Sequence, residues 1–128
     1  MINKDIREVS PLVLAYIGDA VYELHIRNHL VNTTNLNPHN LHLKATKYVK
    51  AKAQADILQK IDEDLTQEEK EIVRRGRNAK SYHIPKNADL NDYMYATAFE
   101  CLIGYLYLNG EEQRLKEILD KTILCALL

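Results

Sequence analysis

The chain punctuates itself as helices. Two of its three prolines, Pro11 and Pro38, directly follow residues that cap helices, Ser10 and Asn37. Such a pair is a start signal. The cap oxygen accepts from a free backbone N–H, and proline at the first helical position gives up a donor that would have no partner. Thr66-Gln67-Glu68-Glu69 reads as a capping box, and Asp89 can cap a further segment. Between these signals apolar residues recur at spacings of three and four. The segment 11–31 runs through Leu14, Ile17, Val21 and Leu24. From Asn37 to about Ile61 one stretch carries Leu41, Ala45, Tyr48, Ala51, Ala55 and Leu58. The helix opened by Thr66 is expected to stop near Gly76, read as a left-handed C-cap. Residues 77–88 read as a loop, 90–108 as a long apolar helix ended by Asn109-Gly110, and 111–127 as an amphipathic helix. With only 4 Gly and 3 Pro, a turn-rich β fold is disfavoured. The expected fold class is all-α.

A chain of 128 residues closes one core, and residues 1–128 are expected to form a single domain. A composition 46% hydrophobic and 27% charged is that of a globular protein, not a disordered one. No apolar run is long enough to span a bilayer, and the polar start MINKDIREVS does not read as a signal peptide. Cys101 and Cys125 show neither metal spacing nor a disulfide framework, so a reducing cytoplasm is expected, with no membrane partner.

The net charge of −1 conceals segregation. Lys44, Lys47, Lys50, Lys52 and Lys60 face a lone Asp56; an acidic block from Asp62 to Glu71 follows; Arg74, Arg75, Arg77 and Lys80 then restore positive charge. Solvated helix faces account for such runs, and so does one strongly positive face.

Two acids stand out. Asp19 has Leu12, Ala15, Tyr22 and Ile26 as helical neighbours, with Gly18 beside it in mid-helix. Glu100 lies among Tyr93, Ala96, Thr97, Ile103 and Tyr107, with Gly104 one turn on. A mid-helix glycine costs about 1 kcal/mol against alanine and often marks close approach of another backbone. Each acid could bond locally to a tyrosine or a backbone N–H. Alternatively the two helices pack together and the carboxylates meet across a proton or cation.

SPLVLAYIGDAVYELHIRNHLV resembles the signature helix of the ribonuclease III family. RRGRNAKSYHIPKNADLNDYMYATAFECLIGYLYLNG resembles the second block of its Mini-ribonuclease III branch, with KATKYVKAKAQA between. The resemblance spans about residues 10–110. It implies the helical fold of a ribonuclease III-type catalytic domain without a separate double-stranded-RNA-binding domain. It also implies an endoribonuclease that cuts double-stranded RNA as a homodimer and leaves 5′-phosphate ends. Asp19 and Glu100 fall on metal-binding, catalytic positions. The implied cofactor is Mg²⁺, with Mn²⁺ as a substitute, activating water for attack on the phosphodiester. Larger relatives carry further acids at positions held here by Leu12, Ala15 and Thr97, so those ligands are absent. Glu23, one turn after Asp19, is a candidate to support the site through water. The branch implies a 23S ribosomal RNA precursor as substrate, with a ribosomal protein as a candidate to present it. Phosphate contacts are then expected from Lys44, Lys47, Lys50, Arg74, Arg75, Arg77, Asn78 and Lys80, because A-form RNA is read by shape and backbone. Part of the dimer interface is expected on the signature helix, Gly18 included.

Other constellations are weaker. His25, His29, His39, His42 and His83 lack zinc-ligand spacing, and Ser10 and Ser81 lack a triad. Tyr93, Tyr95, Tyr105 and Tyr107 suit a core or dimer surface, and Tyr48 lies between lysines. A catalytically silent RNA-binding member of the same fold is the alternative, and a helical interaction module a third. The silent member has no reason to keep both acids, and the module accounts for neither the acids nor the arginines.

Overall fold

The computed structural model describes residues 4–80 and 84–126. After a 3-10 turn at Ile6–Glu8, six helices follow: α1 Pro11–Thr33, α2 Pro38–Val49, α3 Ala51–Ile61, α4 Gln67–Arg77, α5 Leu90–Leu108 and α6 Glu112–Ala126. A second 3-10 turn, Asp62–Asp64, joins α3 to α4. No strand occurs among the described residues.

The caps act as the sequence predicts. Ser10, Asn37 and Asp89 each accept from the backbone N–H three residues on. Thr66 and Glu69 bond reciprocally, closing the capping box. Gly110, at φ 72°, supplies the left-handed residue that follows α5.

Two expectations change. The stretch after Pro38 is two helices, because Lys50 adopts an extended ψ of 153° between them. Its N–H still bonds the Thr46 carbonyl, and its own carbonyl accepts from Gln54, so the chain bends there without losing these bonds. Gly76 is no C-cap. It lies inside α4, whose C-cap is Asn78 in a right-handed conformation. A Cβ at Gly76 would stand 2.8 Å from Cys101 Sγ and 2.9 Å from Ala98 Cα, so the glycine lets α4 press onto α5.

Helix α5 is the axis of the fold and packs against α1, α3, α4 and α6. Ala98, Phe99, Cys101, Leu102, Ile103 and Leu106 are fully buried, as expected of a helix that is apolar all round. Tyr22 of α1 meets Phe99 edge-to-face at 4.8 Å. The acidic block serves largely structural ends. Arg114 of α6 makes two 2.8 Å bonds to the Glu69 carboxylate and holds it below the usual carboxylate range, and Lys121 pairs with Asp64.

Where α1 crosses α5, the backbones touch. A Cβ on Gly18 would lie 1.8 Å from the Glu100 carbonyl oxygen, and one on Gly104 would lie 1.9 Å from that of Leu14. Both collisions are with backbone, which cannot swing aside. Either glycine changed to alanine should therefore lose at least about 2 kcal/mol in urea denaturation, as overpacking does. A variant stabilised by the roughly 1 kcal/mol helix-propensity gain would contradict the crossing.

Candidate active site

The glycine crossing delivers the two acids to one place. Glu100 presents its carbonyl to Gly18, and its side chain, half-buried, lies within hydrogen-bonding reach of both Asp19 and Gln54. Asp19 is exposed, whereas the sequence suggests an apolar stripe around it. The reason is angular. Each residue turns the helix by about 100°, so with Gly18 taking the line that faces α5, Asp19 emerges at the rim. Its helical neighbour Leu12 is 39% exposed, while Tyr22 and Ile26 are fully buried.

Burial, reinforced by the facing Asp19 carboxyl, pushes Glu100 up to about 8 from an ordinary 4.5, and a hydrogen bond from Gln54 opposes the rise. Glu100 thus retains a proton where most carboxyls have lost theirs. Two carboxyls meeting beside a buried amide form a hard oxygen set, which suits a small divalent cation. Gln54 turns its N–H toward Glu100, and its buried Oε1 has no hydrogen-bond partner among the described residues. No group of three or more His, Cys, Asp and Glu gathers among those residues. An ion held here would rest on Asp19, Glu100 and water, as Mg²⁺ tolerates. Glu23 does not join the pair: it bonds Arg27 on its own helix at 2.9 Å. Leu12, Ala15 and Thr97 bring no carboxylate, and Thr97 Oγ1 donates to the Tyr93 carbonyl.

The predicted cations fall into two groups. Lys44, Lys47 and Lys50 are exposed and form no salt bridge among the described residues. Lys50 forms the bend between α2 and α3, one turn before Gln54. Arg74, Arg75 and Arg77 occupy the last turn of α4, with Asn78 as its cap and Lys80 just beyond. Arg74 is tied to Glu71 of its own helix. Arg75 and Arg77 are half-buried and make no salt bridge with a described residue. Arg75 lies near enough to Cys101 to bear on its thiol, which places a cation beside the Glu100 region of α5. Ser81 and His83 lie outside the described residues.

Sequence reasoning missed Gln54. A signal existed: it stands three residues after Ala51 and four before Leu58, a polar side chain in the apolar register of its helix. Gly18 also changes role. It is consumed by the crossing within the chain and cannot belong to a dimer surface. The opposite side of α1 carries exposed apolar residues instead. Val13, Tyr16, Leu24 and Val31 are 52%, 81%, 70% and 62% exposed and recur at helical spacing.

The shifted carboxyl makes stability depend on pH in a defined direction. Between about 4.5 and about 8 the folded protein holds a proton on Glu100 that the unfolded chain has released. Stability from this group is therefore full below that window and is lost as pH rises through it. With chelator present, Glu100→Gln should melt several degrees above wild type at pH 8 and near wild type at pH 5. A constant difference across that range in thermal melts would contradict the shift.

Residues 12–111 match the family model for the ribonuclease III domain. The chain is 52% identical to the Mini-ribonuclease 3 of Thermoanaerobacter sp. (strain X514), covering 94% of this chain and 85% of that protein. It is 49% identical to the Mini-ribonuclease 3 of Brevibacillus brevis, covering 94% and 90%. The fold is similar to an X-ray structure of a Fusobacterium nucleatum protein, with a TM-score of 0.83 and 38% identity over 94% of this chain and 97% of that one. With the glycine crossing and its two acids inside the matched segment, the chain belongs to the ribonuclease III family, in its Mini-ribonuclease 3 branch.

Proposed function

We propose that this endoribonuclease hydrolyses phosphodiesters in double-stranded RNA, using a divalent ion held by Asp19 and Glu100. The meeting of these two acids across the Gly18–Gly104 crossing carries the reading. A silent RNA-binding domain would have no use for a carboxyl kept beside another at this cost.

Mg²⁺ is the expected ion and Mn²⁺ its substitute; when bound, it supplies charge stabilisation at the reacting phosphate and makes water a better nucleophile. The chain's own residues do the rest. Asp19 and Glu100 would hold the ion, and Glu100 would have to release its proton to do so, because a ligand carboxylate is ionised. Asp19, at the exposed rim, is where a phosphate arriving from solvent reaches the pair. Lys44, Lys47, Lys50, Arg74, Arg75, Arg77, Asn78 and Lys80 are assigned to the RNA backbone. Attack of water on phosphorus breaks the P–O3′ bond and leaves a 5′-phosphate on one fragment and a 3′-hydroxyl on the other.

One acid pair cuts one strand, so cutting both strands calls for two copies about a two-fold axis. Val13, Tyr16, Leu24 and Val31 are the surface we assign to that homodimer. The substrate we assign is the 23S ribosomal RNA precursor, with a ribosomal protein presenting it, in the cytoplasm. No described helix is long and apolar enough to cross a membrane.

Cleavage of one RNA duplex over a salt series tests the reading. Asp19→Asn and Glu100→Gln should fold and lose more than about 100-fold in rate, beyond what losing a supporting residue around a metal costs. Neutralising Arg74, Arg75 and Arg77 together should raise KM more than it lowers kcat. It should also flatten the log–log salt dependence of binding by up to about one unit for each phosphate left without its arginine. Full activity of either neutral acid variant in saturating Mg²⁺ would sink the ion assignment. Coincident salt slopes would move the RNA surface to Lys44, Lys47 and Lys50.

A further inference from the structure

The acid pair leaves one buried polar side chain without a role. Gln54, in the first turn of α3, is 2% exposed. Its Nε2 donates to the Val49 carbonyl at 2.9 Å, and the same amide lies within hydrogen-bonding reach of the Glu100 carboxyl. A primary amide has two N–H bonds, so one can hold each partner. Its Oε1 is buried without a partner among the described residues. The amide therefore satisfies the Val49 carbonyl but leaves its own oxygen orphaned, a buried polar atom that packing alone does not ask for.

The Val49 carbonyl belongs to the end of α2, immediately before the bend at Lys50. The Gln54 amide therefore joins the lysine-bearing bend between α2 and α3 to the carboxyl on α5. We propose that Gln54 is a positioning residue that ties Glu100 to the α2–α3 bend and fixes its carboxyl to receive the divalent ion. The inference rests on the ion assignment made above for Asp19 and Glu100. A ligand held by a neighbouring amide loses less freedom when the ion arrives, and the donated hydrogen bond favours the ionised carboxylate that the ion needs.

Calorimetric titration of the RNA-free protein with Mn²⁺ tests this, on wild type, Asp19→Asn, Gln54→Leu and Gln54→Met. Asp19→Asn should abolish binding. Both Gln54 variants should fold, with some loss of melting temperature because the Val49 carbonyl loses its donor, and bind Mn²⁺ about 10-fold or more weakly, the cost typical of removing a supporting partner. In duplex cleavage the Mn²⁺ concentration for half-maximal rate should rise by the same factor. The salt slope of RNA binding should not move. Unchanged Mn²⁺ affinity in both Gln54 variants, with Asp19→Asn defective, overturns the role of Gln54 and leaves the ion assignment standing. Intact binding in Asp19→Asn overturns both. Loss of the fold in both Gln54 variants makes Gln54 a core strut and overturns the proposal as well.

Discussion

The structure depends on backbone-to-backbone contact between α1 and α5. Helices normally keep 8–10 Å between their axes because side chains stand between them. Gly18 and Gly104 remove those side chains on both helices, each opposite a carbonyl of the other. The close crossing brings Glu100, whose own carbonyl forms the contact, beside Asp19, which follows Gly18. Without the glycines the helices stand apart and the carboxyls no longer share a site. Gly76 extends the same device to a third helix, letting α4 press against Ala98 and Cys101.

The arrangement trades stability for readiness. A half-buried Glu100 facing Asp19 is held largely by its proton, and Gln54 alone opposes the shift. A divalent cation relieves what the proton relieves and does so with more charge. Elsewhere the fold uses its charges conservatively. The Glu69 carboxylate accepts from the Thr66 N–H at the start of α4 and binds Arg114, Asp64 binds Lys121, and Glu23 binds Arg27. Lys44 and Lys47 of α2 and Arg75 and Arg77 of α4 are among the cations that form no salt bridge with a described residue. Charge segregation in the sequence therefore resolves into an acidic block in which Glu69 and Asp64 hold α6 while Glu68 and Glu71 bond Tyr105 and Arg74, and basic segments left for other partners.

Much of this is legible in the sequence because it is local. A cap and a proline, a capping box, and a carboxylate beside a mid-helix glycine are each set by residues a few positions apart. The features that escape are tertiary. The bend at Lys50 carries no glycine or proline, and the apolar spacing runs straight through it, so only the packing of α3 on α5 reveals it. Gly76 reads as a helix end because Arg77 and a polar loop follow it; its real partner is a small-residue patch on α5. Asp19 reads as enclosed because a helix pattern gives neighbours on one helix but not which of them a second helix covers. Gln54 sits in the buried register of α3, but its meaning depends on Glu100, a residue far along the chain.

The central claim is that Asp19 and Glu100 share a site that holds a proton until a cation replaces it. Titration of the Glu100 side-chain carboxyl by carbon-detected NMR tests it most directly, in chelator and in saturating Mg²⁺. The account predicts that with chelator Glu100 titrates well above the ordinary carboxylate range. It also predicts that either Mg²⁺ or Asp19→Asn moves that titration downward. A Glu100 that titrates as an ordinary carboxylate in chelator, indifferent to both changes, would contradict it.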